Sequence, residues 1–114
     1  MIEVLRAGLC DLVMDVGRRG RRMLGVPAGG AADPAALAAA NRLVGNDAAA
    51  AGLEIALSGP RLQFPQGGVA ALTGARFAAR RSSGAPVAWH ETLVLAAGEV
   101  LGLDRPESGC RCWL

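Results

Sequence analysis

Short apolar stretches, cut at regular intervals by glycine and proline, make up most of this chain. Ile2 to Arg6 alternates apolar and polar residues, and Leu9 to Val16 follows after Ala7-Gly8, so both are predicted strands. Arg18-Arg19-Gly20-Arg21-Arg22 reads as a turn, and Met23 to Val26 as a short strand ended by Pro27, Gly29 and Gly30. The pattern then changes to a helical one, over about residues 33–45. Asp33 is placed to cap it by accepting from open N–H groups of the first turn, and Pro34 suits the first helical position. Ala35 to Val44 are mostly strong helix formers, and Gly45-Asn46 supplies a left-handed stop, with Asn46 expected to be the left-handed residue. Leu37, Ala40 and Val44 fall on one face, which predicts a helix laid over a core.

Strand-like segments resume at Leu53 to Leu57, Arg61 to Phe64 and Val69 to Thr73. Phe77 to Arg81 and Pro86 to His90 are expected to pair around Ser82-Ser83-Gly84. Leu93 to Leu95 and Val100 to Leu103 are expected to pair around Ala97-Gly98. Arg105 to Gly109 is a predicted turn, and Cys110 to Leu114 a final strand. That strand is apolar to its last residue, so it should lie buried in a sheet, as the front portion of a longer protein would. The whole predicts one mainly-β domain over residues 1–114, a barrel or sandwich of short antiparallel strands whose lone helix plugs one end.

Composition narrows the chemistry. At 52% hydrophobic and 19% charged, the chain of 114 residues has the apolar content for a core and is too poor in charge for disorder. No apolar run approaches the roughly 20 residues of a membrane span. The start, Met1-Ile2-Glu3-Val4-Leu5-Arg6, lacks the pattern of a secretion signal, which predicts a soluble, cytoplasmic protein with no membrane partner. A net charge of +2 is too small to indicate a nucleic-acid partner. All 12 basic residues are arginine, so the chain has no lysine for a Schiff base, a P-loop clamp or biotin attachment. Cys110 and Cys112 are one residue apart, not the two of a zinc or redox pair, so the three cysteines are expected to be reduced. His90 is the only histidine, with no metal cluster or Ser-His-Asp set to join.

Several blocks together resemble one family. They are Val13-Met14-Asp15-Val16-Gly17-Arg18, Gly25-Val26-Pro27-Ala28-Gly29-Gly30-Ala31-Ala32-Asp33-Pro34 and Ala40-Asn41-Arg42-Leu43-Val44-Gly45-Asn46. Leu53-Glu54-Ile55, Gly59-Pro60, Leu72-Thr73-Gly74-Ala75 and Gly109-Cys110-Arg111 follow in the same order. The chain resembles the C subunit of bacterial ATP-dependent 5-oxoprolinase, the KipA-type or biotin-dependent carboxyltransferase family. The same module occurs in urea carboxylase (urea amidolyase). It departs from the family pattern at Met14, where the family has glutamine, and at Gly29 and Ala32, where it has serine and methionine. Any role of those side chains is absent here. Family members also continue well past the last block, into a second barrel-like half.

The resemblance implies a cyclophilin-like β-barrel. It implies two partners, the KipI-type B subunit of 5-oxoprolinase and its lactam-utilisation A subunit. The reaction it implies is ATP-driven opening of the 5-oxoproline lactam to L-glutamate. In the urea carboxylase relative, the module helps pass a carboxyl group from carboxybiotin to urea. ATP, and biotin where used, would come from partner subunits or domains. The rival expectation is a non-catalytic protein that binds a KipI-type partner.

Opening an amide needs a polarised carbonyl and a base. Asp15, Glu54 and Asn41 are the candidate catalytic residues, and Arg18, Gly29, Gly30 and Asn46 the candidate substrate-binding ones. Each also has a structural reading: Asp15 as a turn-forming carboxylate, Asn41 as a buried amide tying down backbone, and Asn46 as the helix stop. Glu54 lies opposite Leu53 and Ile55 by alternation, which suits a solvent-facing or loop-bracing role as well as a site role. The loop at Gly29-Gly30 leads into a helix N-terminus, where free N–H groups can hold a carboxylate or phosphate.

Overall fold

The computed structural model describes residues 1–114. Its strands form three antiparallel ladders. In the first, β1 (Glu3–Arg6) pairs with β4 (Arg61–Phe64), β4 with β9 (Glu99–Pro106), and β9 with β7 (Phe77–Arg81). In the second, β2 (Cys10–Met14) pairs with β3 (Gly52–Ala56), β3 with β10 (Arg111–Trp113), and β10 with β6 (Thr73–Gly74). The third is β5 (Gly68–Ala71) against β8 (Thr92–Leu95). The mainly-β, antiparallel architecture with one helix is the one the sequence predicts.

One core joins the ladders. Leu62, Phe77, Leu101 and Leu103 enter it from the first, Ile55 and Cys112 from the second, and Ala70, Leu93 and Leu95 from the third. Alternation drives this: in β8, Leu93 and Leu95 are buried while Thr92 and Val94 are exposed. Each fully buried leucine contributes roughly 1.5–3 kcal/mol. The helix α1 (Pro34–Leu43) covers a second, smaller cluster, in which Ala36, Leu37 and Ala40 pack on Trp113. The Thr73 hydroxyl donates to the Ala36 carbonyl at 2.7 Å and pins the helix to β6. The final strand lies inside the sheet as expected but is shorter: β10 lies between β3 and β6, with Cys112 and Trp113 inaccessible to solvent, while Cys110 and Arg111 are exposed.

Helix α1 starts as the sequence requires, with the Asp33 carboxylate accepting from Ala36 N–H at 3.0 Å and Pro34 in the first turn. Its end differs in detail. Gly45, at φ 78°, is the left-handed residue, and Asn46 is not. Gly45 N–H donates to the Arg42 carbonyl and Asn46 N–H to the Asn41 carbonyl, the paired bonds of a Schellman stop. Glycine takes the left-handed position because it has no Cβ to clash there.

Other expectations are corrected. Met23 to Val26 is no strand; Arg22–Leu24 forms a single 3-10 turn closed at Gly25. The segment Val69 to Thr73 splits, with β5 and β6 joining different ladders on either side of the buried Leu72. Pro86 to His90 forms no strand, and β7 pairs with β9 instead. Pro86 has no N–H to give a ladder, and Trp89 turns in to stack on Phe77 with ring centroids 6.4 Å apart. The turn around Ala97-Gly98 exists, but β8 leaves it toward β5 and β9 toward β4 and β7. Gly98 N–H donates to the Phe64 carbonyl, which turns the chain onto β4.

Candidate functional site

The loop before α1 is held from three sides. From the β2 end, the Asp15 carbonyl accepts from Ala31 N–H at 2.8 Å, and Arg18 N–H donates to the Ala28 carbonyl at 2.6 Å. The Asp15 carboxylate accepts from Gly17 N–H at 2.7 Å, which closes a turn in which Gly17 has φ 83°. Gly17 and Gly30 then pack backbone on backbone: a Cβ on Gly30 would stand 2.7 Å from the Gly17 nitrogen. Only glycine allows that approach.

The third hold is Glu54. Ile55 points into the main core, so alternation sends Glu54 to the opposite face, in register with Trp113 on the helix side of the sheet. Its side chain is buried. Oε2 accepts from Ala32 N–H at 3.0 Å, and Oε1 from Arg111 Nε at 3.1 Å. Glu54 therefore couples β3, β10 and the pre-helix loop through one carboxylate. Of its alternative readings, the loop brace is the one the hydrogen bonds describe. Sequence reasoning misses Arg111, because its partner lies 57 residues away and nothing local marks the pair.

Asn41 and Asn46 stand at the other end of α1, about 12 Å along the axis from the Asp33 cap at 1.5 Å per residue. Asn41 is buried; its Nδ2 donates to the Ala50 carbonyl at 2.8 Å, and its Oδ1 accepts from Asn46 Nδ2 at 3.4 Å. Both amides border an apolar cleft of about 410 Å³ between the helix and the strands, whose walls include Leu37, Leu53, Phe64 and Leu114. The structure thus gathers Asp15, Arg18, Gly29, Gly30 and Glu54 around the pre-helix loop and sets Asn41 and Asn46 apart from them.

Around that loop, the N–H groups of Ala31, Ala32 and Ala36 are taken by Asp15, Glu54 and Asp33. Those of Gly29 and Gly30 form no hydrogen bond within the chain. Asp15 and Arg18 are exposed beside them. The arrangement offers two free donors, one carboxylate and one guanidinium on a rigid backbone scaffold, a set able to hold a small acid or amide. No group of three His, Cys, Asp or Glu side chains with the geometry to hold a metal is formed.

A second buried carboxylate carries no local signal in the sequence. Glu99 accepts from Arg81 Nε at 2.7 Å, from Arg81 again at 3.0 Å, from Ala96 N–H at 2.8 Å and from the Ser83 hydroxyl. The Arg81 guanidinium, with Ser83 and Ala96 adding to it, holds the Glu99 carboxyl down at about 2. The same bond raises Arg81. Burial pushes the Cys112 thiol up to about 12, with the Asp11 charge adding to it, so this thiol stays protonated and unreactive. All three cysteines are free thiols.

The surface carries much unpaired apolar area. Val4 and Leu5 on β1, Leu12 and Val13 on β2, and Met23 and Leu24 in the 3-10 turn are all exposed. No helix is long and apolar enough to cross a membrane.

Comparison with known proteins agrees on one family. Residues 24–114 match the carboxyltransferase domain, subdomain A and B. The chain is 44% identical over 115 residues to the C subunit of 5-oxoprolinase from Escherichia coli, covering 100% of this chain and 36% of that protein. It is 33% identical over 114 residues to urea amidolyase of Saccharomyces cerevisiae, covering 99% of this chain and 6% of the other. Among solved structures, Kluyveromyces lactis urea carboxylase superposes with a TM-score of 0.91 at 34% identity, over 98% of this chain and 10% of that one. The crystal structure of TTHA0988 gives 0.90 at 35%, over 98% and 22%. The chain spans about a third of the length of the oxoprolinase relative, and much less of the urea enzymes. With the pre-helix loop, its glycines and Glu54 all inside the matched residues, the chain belongs to the carboxyltransferase domain family, in company with the C subunit of 5-oxoprolinase and the urea amidolyases.

Proposed function

We propose that this chain is the N-terminal module of a 5-oxoprolinase C subunit. Its reaction is the ATP-driven opening of the 5-oxoproline lactam to L-glutamate. It acts only in complex, in the cytoplasm, with the KipI-type B subunit of the enzyme and the lactam-utilisation A subunit. The observation that carries the reading is the 44% identity to the C subunit of 5-oxoprolinase across the whole chain. The urea-enzyme relatives reach 32–36%, and the module of a biotin-dependent carboxyltransferase is the related form of the same proposal.

In this reading the Gly29 and Gly30 N–H groups and Arg18 receive the acid or carbonyl of the substrate, and Asp15 is the exposed carboxylate available as a base. Glu54 and Asn41 are positioning residues, since their polar atoms are already committed to backbone and to Arg111 or Asn46. The residues present do not fit a covalent biotin or a P-loop nucleotide site, because the chain has no lysine. ATP and any biotin belong to the partners.

The exposed apolar residues of β1, β2 and the 3-10 turn favour a second reading, a non-catalytic protein that binds a KipI-type partner. One experiment separates the two. The chain is combined with the A-type and B-type partners, and 5-oxoproline-dependent ATP hydrolysis is measured. Stimulation supports the first reading. Co-purification without stimulation supports the second. Activity of the chain alone contradicts both.

A further inference from the structure

On the outer face of the first ladder, three arginines stand in one row. Arg6 is in register with Arg61, Arg61 with Gly102, and Gly102 with Arg80, so the row crosses β1, β4, β9 and β7. They line a cleft of about 470 Å³ together with Arg81, Ser82 and Asp104. Gly102 is its floor. A Cβ there would meet nothing closer than the Arg61 stem at 3.9 Å, so the space above is open. Adjacent strands are about 4.8 Å apart, which sets the Arg61 and Arg80 backbones roughly 10 Å from each other across that floor.

The charges do not balance within the protein. Arg6 pairs with Asp104 at 3.6 Å, and Arg81 with Glu99 at 2.7 Å. Arg61 and Arg80 form no ion pair, and Arg61 also stands directly opposite Arg6, a like-charge pairing that destabilises a sheet. We propose that this cleft is a binding site for a compact phosphate-bearing small molecule, whose oxyanions bridge Arg61 and Arg80 above Gly102. Two arginines lining the cleft from either side of Gly102 suit a phosphate group, which presents oxygens in several directions; a single carboxylate fills one guanidinium fork. The cleft has the size of a small-molecule site. No aromatic side chain lines it, so a base has nothing to stack on, and the occupant is not a nucleic acid. The site is independent of the pre-helix loop and of the function proposed for it.

The test is a titration of the isotope-labelled chain with inorganic pyrophosphate, followed by NMR at constant ionic strength set with chloride. Saturable shifts centred on Gly102, Arg61 and Arg80 are expected. The double variant Arg61→Gln/Arg80→Gln should bind at least about tenfold more weakly, from the loss of charged hydrogen bonds. Gly102→Val, which fills the floor without altering charge, should also weaken binding, and Arg105→Gln should not. In low salt the double variant should unfold at the same temperature as the parent or higher, because repulsion is relieved, so lost binding would not reflect lost folding. Absence of saturable shifts overturns the proposal. So do shifts centred on the Arg18 to Arg22 turn or on Gly29-Gly30, equal affinity in the double variant, or preference for an acidic peptide over pyrophosphate.

Discussion

Glu54 and Glu99 are equally buried, at 5% exposure each, and each is paired with an arginine, yet they do different work. Glu99 accepts four hydrogen bonds, and the side chain of its partner Arg81 is 13% exposed. It locks β7, β9 and the turn after β8 into one unit. Glu54 accepts two, and its partner Arg111 has a side chain that is 48% exposed. It holds the pre-helix loop against two strands while leaving its arginine half in solvent. Burial alone therefore does not tell a staple from a site brace; the number of donors and the exposure of the partner do.

Breaking the staple should have the largest effect. Glu99→Ala leaves the Arg81 guanidinium without its carboxylate, and Tm should fall by roughly 10 °C or more, read by thermal unfolding. The same carboxylate sets an acid limit. Its folded value lies below its unfolded one, so the folded state binds fewer protons between the ordinary carboxylate range and about 2. Stability should be fully present above that window and be lost as pH falls through it. A Glu99→Gln chain should lack this slope.

The loop side comes next. Gly30→Ala places a Cβ against the Gly17 backbone at φ 89°, which should cost about 2 kcal/mol and separate the two loops. Glu54→Gln should cost about 1–2 kcal/mol, discounted for the exposure of Arg111, and should speed hydrogen exchange at Ala32 more than in the β7–β9 region. Uniform loosening of the whole chain would erase the distinction between the two glutamates. The smallest effect is Asp33→Ala, about 1 kcal/mol from the lost helix cap, again by thermal unfolding.

What is legible in the sequence is what is settled locally. Asp33, Pro34 and Gly45 mark the ends of α1 because capping involves residues three or four apart. Most strand positions are readable for the same reason, through alternation, but Met23 to Val26 and Pro86 to His90 form no strand. Pairing is not: β7 with β9, β5 with β8 and Glu54 with Arg111 depend on segments far apart in the chain, and the Ser82 to Gly84 and Ala97-Gly98 turns exist without joining the strands beside them. At the site, Asp15, Glu54, Gly29 and Gly30 are identifiable as residues. Their grouping around one loop, apart from Asn41 and Asn46, comes only from the fold.

The most direct test of the proposed role is 5-oxoproline-dependent ATP hydrolysis by the A-type and B-type partners, with and without this chain. A rise in rate on adding the chain, and none from the chain alone, is the expected result. An unchanged rate in a mixture where the three proteins co-purify would contradict a part in lactam opening.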